Sequence, residues 1–406
     1  MRPTRRPRRL LKLLAWLVLA SLLFGLAFWA GSLNLLPTLG SWINDVGAKL
    51  PSWLSSSSLD SNPGPSPDSS APPPPADQLS LVAVGDVVLA RKVAKAMAEY
   101  GVDYPFMLIG QQLRDADLTF GNLECPISDR GSRLPGKGIW FRADPAVGPV
   151  LKDVGFDVLS IANNHSLDYL DQAFYDTIDL VKAQGISLVG GGCNLAEARQ
   201  PVIREVNGIR IAFLAYSDMA DIYWSQKFKR TLAATEDRCG VAPLKIDMIE
   251  EDVSKAVYAS DLVVVSLHWG VEYSDYPTAE QRRLAHRIID AGARLVLGHH
   301  PHTLQGVEYY KGGLIAYSLG NFVLDQYQKQ KTQESFLLKV KFRDHGKTWK
   351  AEIWPVVLPK SQPRLATGPD ADRILEKTRR LSQKLGTNLT LSGDHLTVES
   401  QTGIGM

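Results

Sequence analysis

Five short apolar stretches between residues 79 and 302 each end in polar residues that can bind a metal ion. Each stretch has the length and composition of a buried β-strand. The segments between them place apolar residues at helical spacing, for example in residues 171–184 and 278–291. Strands that alternate with helices are typical of a sheet covered by helices. The pattern therefore predicts an α/β fold in the form of a layered sandwich.

The later part of the predicted domain is rich in strands. Residues 202–216 (VIREVNGIRIAFLAY) predict a hairpin with Asn207 and Gly208 in its turn. Two later stretches, ESFLLKVKF and WKAEIWPVVL, alternate in the way that antiparallel strands do. Further helices are predicted over Arg91–Tyr100 and residues 246–260. We assign residues 78–365 to one folded domain and residues 366–406 to a C-terminal helix and tail.

The N-terminus has the features of a membrane anchor. Residues 1–12 carry six positive charges and no acid, and residues 13–31 (LLAWLVLASLLFGLAFWAG) are uncharged and mostly apolar. A helix of about 20 apolar residues spans a bilayer. Residues 13–35 are therefore predicted to cross the membrane once, with the basic arm 1–12 in the cytoplasm. A cleaved signal peptide is the alternative, because residues 25–27 (GLA) are small enough for a cleavage site.

Residues 36–77 are predicted to be a disordered linker. Its C-terminal part, SSSSLDSNPGPSPDSSAPPPPAD, consists almost entirely of Ser, Pro, Asp, Asn and Gly. Such a segment has too little apolar surface to form a core. The sequence thus predicts a single-pass protein of the cell membrane whose main domain lies outside the cytoplasm.

Charge and cysteine content exclude two classes of protein. The chain has a net charge of +2, so the part after the basic arm carries about −4 and offers no basic body for nucleic acid. The three cysteines, Cys125, Cys193 and Cys239, form no CxxC pair. An odd number does not make a disulfide framework. The cysteines are predicted to be small buried residues.

The polar residues at the five strand ends are the candidate site. Loops that follow the carboxyl ends of neighbouring strands meet at one edge of an open α/β sheet. All five strand ends carry Asp, Glu, Asn or His. A single His or a Gly-Asp pair would be weak evidence for a site by itself, so the argument depends on their coincidence. The residues are Asp86 in VAVGD, Asn122 and Glu124 in TFGNLE, Asn164 and His165 in SIANNH, His268 in VVSLHWG, and His300 and His302 in LGHHPH.

Carboxylate, amide and imidazole ligands together suit manganese, iron or zinc. We predict one or two divalent ions, with one carboxylate able to bridge two of them. His300 and His302 flank a proline, and in an extended segment both side chains would leave on the same side. His299 would then point away, so it is the less favoured ligand.

The order of these motifs resembles the CapA-type, poly-γ-glutamate capsule synthesis family, whose fold is similar to that of calcineurin-like metallophosphoesterases, with an αββα core. The resemblance covers residues 79–325. It is carried by VAVGDVVLAR, GNLECPIS, FRADP, IANNHSLDYL, HWGVEY, GHHPHTLQG and YSLGNFVLD. Together these motifs are highly specific, whereas any one of them would not be.

The resemblance implies a role for each strand-end residue. Asp86 would be a terminal metal ligand, Glu124 would bridge two ions, and Asn164 would bind the second ion. His165 would protonate a leaving group or stabilise the transition state. The remaining ligands would be His268, His300 and His302. Two departures are visible, because Val88 stands where phosphoesterases have a His and the bridging position holds Glu instead of Asp.

Other motif residues have two interpretations each. Asp168 either hydrogen-bonds His165 or caps the helix that begins near Tyr169. Asn122 either orients Glu124 or forms a turn. Arg142 either contacts an anion or forms a surface ion pair.

Two residues of HWGVEY could line a substrate cleft. These are Trp269 and Glu272, although a tryptophan at such a position is more often part of the core. Gln305 and Asn321 lie beside the motifs without an assigned role.

Three functions are compatible with the sequence. The first is a membrane-anchored, metal-dependent hydrolase or transferase in capsule or poly-γ-glutamate metabolism, which acts with synthase subunits on an anionic polymer. The second is a non-catalytic assembly or export factor of the synthase complex. The third is a general secreted phosphodiesterase or nucleotidase, which the altered first motif disfavours.

Overall fold

The structure, a computed structural model, describes residues 77–400. The predicted basic arm (1–12), the predicted anchor (13–35) and all of the linker except Asp77 lie outside the described residues. Within residues 77–400, no helix is both long enough and apolar enough to cross a membrane.

Residues 77–400 contain eight α-helices, eighteen strands and three short 3₁₀ helices (Tyr104–Phe106, Gln330–Gln333 and Pro359–Ser361). The helices are α1 (Arg91–Tyr100), α2 (Gly110–Arg114), α3 (Val147–Asp153), α4 (Leu170–Ala183), α5 (Leu195–Ala198), α6 (Ile246–Ala259), α7 (Ala279–Asp290) and α8 (Gly368–Gln383). The strands are β1 (Leu79–Val87), β2 (Leu118–Leu123), β3 (Val158–Ser160), β4 (Ser187–Val189), β5 (Gly191–Gly192), β6 (Val202–Val206), β7 (Ile209–Ser217), β8 (Gly240–Val241), β9 (Leu262–His268), β10 (Leu295–His299), β11 (Val307–Tyr310), β12 (Gly313–Ala316), β13 (Asn321–Val323), β14 (Glu334–Arg343), β15 (Thr348–Val357), β16 (Arg364–Leu365), β17 (Thr390–Ser392) and β18 (His395–Glu399).

Two mixed sheets contain most of the strands. The first has the order β17-β18-β15-β14-β1-β2-β3-β4, with β13 beside β1 and β16 beside β15. Its strands β1 to β4 run parallel, and β14 and β15 are antiparallel. The second sheet has the order β11-β12-β10-β9-β7-β6, with β12, β10, β9 and β7 parallel. The predicted mixture of α/β layers with an antiparallel end is confirmed.

The two sheets pack face to face. Phe120 of β2 stacks on Phe213 of β7, with ring centroids 5.7 Å apart. Along β7, Ile211 and Phe213 belong to the core between the sheets. The alternate residues Ala212 and Leu214 belong to a second core. This alternation is the period-two pattern of a strand that is buried on both faces.

Helices cover the outer faces of the sandwich. Val253 of α6 and Ile288 of α7 pack in the second core, against the outer face of the second sheet. Phe174 of α4 and Leu151 of α3 are buried with the first sheet. Parallel strands joined by helices place those helices on the face that the other sheet leaves free. As a result, the carboxyl ends of the parallel strands remain open to loops.

The local elements follow the sequence patterns closely. The helix predicted over Arg91–Tyr100 has those bounds, and Thr278 forms a capping box with Gln281 at the start of α7. In the predicted hairpin, β6 pairs with β7, and Asn207 and Gly208 have φ values of 53° and 77°. Both are left-handed, as a two-residue hairpin turn requires.

The C-terminal segment joins the same fold. Strand β18 pairs with β15 and so extends the first sheet. Helix α8 is fixed by hydrogen bonds: the Ser382 hydroxyl accepts from the Val307 backbone N–H at 2.8 Å, and Thr387, just beyond the helix, accepts from Tyr309 N–H at 2.8 Å. The sequence predicted a helix and a tail for these residues but not their contacts with the rest of the domain.

Candidate metal centre

The end of β1 is shaped by a close backbone crossing. Asp86 N–H donates to Gly320 O at 3.1 Å, and Leu319 N–H donates to Gly298 O at 3.1 Å. A Cβ atom at Gly85 would lie 1.9 Å from Gly320 O, and a Cβ at Gly298 would lie 1.9 Å from Tyr317 O. Only glycine allows backbones to approach so closely. One loop, 317–321, therefore ties the end of β1 in the first sheet to the end of β10 in the second.

Asp86 lies at the centre of this junction and is fully buried. Its Oδ1 accepts a hydrogen bond from Asn122 Nδ2 at 2.9 Å and lies 3.4 Å from His299 Nδ1. Its Oδ2 lies 3.3 Å from His302 Nδ1 and 3.4 Å from the backbone N–H of His300. The carboxylate thus contacts residues from both sheets.

Glu124 is the second buried carboxylate, with no exposed surface. Neither of its oxygens has a hydrogen-bond partner among the described residues. One ligand atom of Glu124 and one each of His300 and His302 all lie within 4.8 Å of one another. An unpaired, dehydrated carboxylate is costly unless a cation balances it.

Asn164 and His268 complete the cluster. Asn164 Oδ1 lies 3.0 Å from His268 Nε2, which is itself 3.6 Å from Glu124 Oε1. The His268 Nδ1 atom lies 3.3 Å from Asn122 Nδ2. The ring centroids of His268 and His300 are 4.8 Å apart. The structure therefore brings all five predicted strand ends together, as the predicted site requires.

The backbone of residues 299–302 does not have the conformation that the sequence indicated. His300 and His302 have φ values of 92° and 55°, so the segment is not extended, and the expected i, i+2 geometry is wrong. Left-handed residues turn the chain sharply, and both rings still face Glu124. The expectation that His299 points away is also wrong, since its ring contacts Asp86.

A second group of buried residues adjoins the cluster. His165 Nδ1 lies 2.7 Å from Asp168 Oδ2, and Lys137 Nζ contacts Asp168 Oδ1 and lies 3.1 Å from His165 Nδ1. The Asp168 carboxylate also accepts from Phe141 N–H at 2.6 Å, and the Phe141 ring stacks on His165 at 4.0 Å. Of the two interpretations of Asp168, the structure shows the contact with His165, because α4 has no side-chain cap.

Burial and neighbouring charges separate the pKa values of the two carboxylates. Burial, strengthened by the negative charge of Asp86, raises the pKa of Glu124 well above its usual range. Burial acts on Asp86 in the same direction, but the adjacent imidazoles of His299 and His302 outweigh it and hold its pKa well below the usual range. The pocket therefore concentrates negative charge on Asp86 and disfavours it on an unbalanced Glu124.

The same two effects separate the pKa values of the histidines. Burial lowers the pKa of His165 to about 4 and, with the charge of His302, lowers the pKa of His300 to about 3. Burial also lowers the pKa of His268 well below its usual range. For His302, burial is outweighed by Glu124 and Asp86, which raise its pKa to about 9. Neutral imidazole is the form that binds metals.

The structure places the other predicted residues as follows. Asn122 contacts Asp86 and His268, so it orients these residues and not Glu124. Glu272 is exposed, yet its charge acts on Glu124 and His302, which places it at the rim.

Two residues proposed for the substrate cleft have contacts within the protein. Arg142 donates to Arg130 O at 3.0 Å and lies over the Tyr169 ring at 4.1 Å. Trp269 is 1% exposed, stacks on Tyr317 and donates to its carbonyl oxygen at 3.2 Å. Trp269 is therefore a core residue, and its assignment to a substrate cleft is corrected.

Three residues of the site were missed. Lys137 contacts the His165–Asp168 pair, although nothing in its loop sequence distinguishes it. Asn163 accepts from the His165 backbone N–H at 3.0 Å and donates to Leu123 O at 2.9 Å, so it fixes the turn that presents Asn164 and His165. Asn321 Oδ1 lies 2.9 Å from His302 Nδ1. The sequence signals that could have identified two of them were the repeated asparagine in IANNH for Asn163 and the YSLGN motif for Asn321.

The donor set fits a divalent cation. Glu124 has two unpaired buried oxygens, and His300 Nδ1 is also buried without a partner among the described residues. His302 donates through Nδ1 to Asn321, which leaves Nε2 facing Glu124 Oε1 at 4.0 Å. A ligating histidine usually uses its other ring nitrogen for such an orienting bond. Asp86, Asn164 and His268 add three further donor groups beside this core.

Comparison with known proteins agrees with the motif pattern. A family described as "Bacterial capsule synthesis protein PGA_cap" matches residues 80–326, which is more than half of the chain. The chain belongs to this family. The match contains all five strand ends of the metal centre, together with the loop 317–321.

Relatives of this family member have been described in several bacteria. The chain is 34% identical to the capsule biosynthesis protein CapA of Bacillus anthracis over 76% of this chain and 74% of the relative. It is 35% identical to the PGA biosynthesis protein CapA of Bacillus subtilis over 71% of this chain and 73% of the relative. A probable polyglutamine synthesis accessory protein of Mycobacterium tuberculosis is 30% identical over 69% and 76% of the two chains.

Solved structures show a more distant similarity. A putative 5′-nucleotidase from Staphylococcus aureus matches with a TM-score of 0.43 and 11% identity, over 76% of this chain and 58% of that one. The calcineurin-like phosphoesterase YfkN from Bacillus subtilis matches with a TM-score of 0.37 and 14% identity, over 71% of this chain and 88% of that one.

Proposed function

We propose that this protein is a membrane-anchored, metal-dependent hydrolase that acts outside the cytoplasm in poly-γ-glutamate capsule synthesis. The observation that carries the proposal is the Glu124 carboxylate, which is buried, receives no hydrogen bond from residues 77–400, and faces His300 and His302. A site built only for stability would pair such a carboxylate or replace it with an apolar residue. The names of the CapA relatives supply the pathway.

The residues around the pocket have separate tasks in this proposal. The ligand set is Asp86, Glu124, Asn164, His268, His300 and His302. Divalent ions bound there would polarise the scissile group and supply a nucleophilic water at neutral pH. Asn122 holds Asp86 and His268, and Asn321 holds His302.

His165 is the proposed acid–base residue. Its Nδ1 faces the Asp168 carboxylate, so that Asp168 fixes the orientation of the ring and leaves Nε2 free to exchange a proton with a leaving group. Phe141 packs on the ring and limits the access of water. Lys137 neutralises Asp168, so a buried negative charge is not left beside the substrate.

A non-catalytic assembly or export factor is the second candidate. The observation that favours it is Val88, which is fully buried and donates its backbone N–H to Val323 O at 2.7 Å. Val88 cannot supply the imidazole that the true phosphoesterases have at this position, so the first ion would lose a ligand. The word "accessory" in the name of the mycobacterial relative agrees with this role.

The experiment that separates the two candidates uses the purified full chain. Hydrolysis of poly-γ-glutamate and of a p-nitrophenyl phosphate diester is measured with Mn²⁺, Fe²⁺ or Zn²⁺, beside His165→Asn and Glu124→Gln. Metal-dependent turnover that both substitutions abolish supports the hydrolase. Metal binding without turnover of either substrate favours the assembly factor. Turnover of the diester alone favours a general phosphodiesterase.

A further inference from the structure

Cys193 directly follows β5 and Cys239 directly precedes β8; Cys239 is buried as predicted, but Cys193 is exposed, so that prediction is wrong for it. Strands β5 and β8 pair antiparallel, with Gly191 opposite Val241 and Gly192 opposite Gly240. Continuing this register by one residue places Cys193 opposite Cys239. Beyond the cysteines the two segments meet again, where Leu195 N–H donates to Thr235 O at 2.7 Å, two residues out of that register. The two cysteines are therefore held between two points of backbone contact.

The hydrogen-bond pattern sets the spacing at this position. Ala242 N–H donates to Gly190 O at 2.9 Å, so residues 190 and 242 form a hydrogen-bonded pair. Such pairs alternate along an antiparallel ladder, which makes 192/240 hydrogen-bonded and 193/239 non-hydrogen-bonded. Opposite Cα atoms at a non-hydrogen-bonded position are about 4.5 Å apart. This spacing lies within the range of roughly 4.4–6.8 Å found for disulfides.

The two side chains leave the ladder on the same face. A Cβ at Gly191 would lie 3.0 Å from the Phe174 ring of α4, and Val241 is buried in the same apolar cluster as Phe174. Side chains two residues further along share that face. Consistent with this, the Cys239 thiol is the main cause that raises the pKa of Tyr175, also on α4, to about 12, and Cys193 contributes in the same direction.

We propose that Cys193 and Cys239 form an intramolecular disulfide when the domain is outside the cytoplasm. The location rests on the proposed function, since disulfides persist in oxidising compartments. The two thiols lose two protons and two electrons as the S–S bond forms. A disulfide-bearing oxidant of the thiol–disulfide oxidoreductase class accepts them and is reduced to two thiols.

The third cysteine stays reduced in this proposal. Cys125 is buried, and its sulfur accepts from Leu89 N–H at 3.4 Å. Burial raises its pKa to about 12 and keeps an oxidant away from its sulfur, whereas Cys193 is exposed and can be attacked first. The odd cysteine count is therefore compatible with one bond and one inert thiol.

The bond would secure the loop beside the metal centre. It closes the chain between residues 193 and 239, which includes Trp224, whose ring lies 4.9 Å from Lys137 Nζ. Arg230 adds to the same anchor by donating to Cys239 O at 3.0 Å. The disulfide would thus link the segment that contains Trp224, which packs on Lys137, covalently to the residue that lies just before α5.

The test oxidises the purified full chain with oxidised glutathione. Free thiols are then blocked with N-ethylmaleimide in denaturant, and peptides are mapped without reduction. We expect a single 193–239 link within the monomer and an alkylated Cys125. Reduction should lower the thermal midpoint by on the order of 5 °C, and Cys193→Ser should remove that difference. Cys125→Ser is the matched control and should keep the link.

Two results would overturn the proposal. One is a glutathione adduct or an intermolecular dimer at Cys193 while Cys239 remains alkylated. The other is an unlinked chain taken from cells under blocking conditions, since the bond would then not form in the cell. Metal binding is measured on both redox forms. A linked chain that binds no metal would contradict the proposed function and leave the disulfide intact.

Discussion

The Nδ1 atom of His165 lies 2.7 Å from the Oδ2 atom of Asp168, and both side chains are buried beside the metal centre. The pair lies between β3 and α4, and Phe141 from another loop fixes it by donating its backbone N–H to Asp168 and stacking its ring on His165. Lys137 lies in another loop and contacts Asp168 as the third member of this buried group.

Asp168→Asn should impair catalysis without removing metal. The amide can still contact His165 but cannot stabilise an imidazolium, so we expect kcat to fall about 10–100-fold, the usual effect of losing an orienting partner. The readout is kcat for whichever of the two assayed substrates the natural protein hydrolyses, together with metal content. An unchanged kcat would show that His165 needs no partner.

Lys137→Met should be strongly destabilising. It leaves the Asp168 carboxylate buried without its cation, which typically costs about 3–5 kcal/mol. Urea unfolding measures the difference, and the double variant Lys137→Met/Asp168→Asn should recover part of it. Lys255→Met, at an exposed pair with Glu251, should leave the midpoint unchanged. Equal effects at both lysines would rule out a special role for the buried pair.

Stability should decline in acid because of His165. Its pKa is about 4 in the folded protein and near 6.5 when unfolded, so the unfolded chain binds the proton first as pH falls. The stabilisation is complete above pH 6.5 and is lost between pH 6.5 and about 4. Measured in EDTA, the unfolding free energy of the natural protein relative to His165→Asn should fall by on the order of 3 kcal/mol over that interval. A constant difference would contradict the depressed pKa.

Gly85→Ala should disrupt the junction between the sheets. The new Cβ would lie 1.9 Å from Gly320 O, which is backbone and cannot rotate away, so we expect a loss of about 3 kcal/mol or more. Gly138→Ala is the control, because no atom lies within 4 Å of its added Cβ, and it should stay within about 0.5 kcal/mol. Thermal unfolding of both variants checks the prediction.

Much of the site was predictable because its residues follow strands. Asp86, Glu124 and His268 each end an apolar run, and parallel strands deliver their ends to one edge. The Asn207–Gly208 turn was predictable for a different reason, since few residues adopt two consecutive left-handed conformations.

The parts that were missed depend on tertiary contacts. Lys137 sits in a loop without periodicity, and only folding brings it to Asp168. The direction of His299 and the backbone conformation of His300 and His302 were misjudged because left-handed residues follow β10, which breaks the alternation assumed for an extended segment. Trp269 follows the same kind of strand end as His268 but turns into the core against Tyr317.

Metal stoichiometry tests the central claim most directly. The full chain is stripped with chelator, dialysed against Mn²⁺, Fe²⁺ or Zn²⁺ in turn, and analysed for bound metal beside Glu124→Gln, which keeps the shape of the side chain and removes its charge. The account predicts at least one tightly bound ion per natural chain and a clear loss in the variant. A natural chain that retains none of the three metals would contradict it.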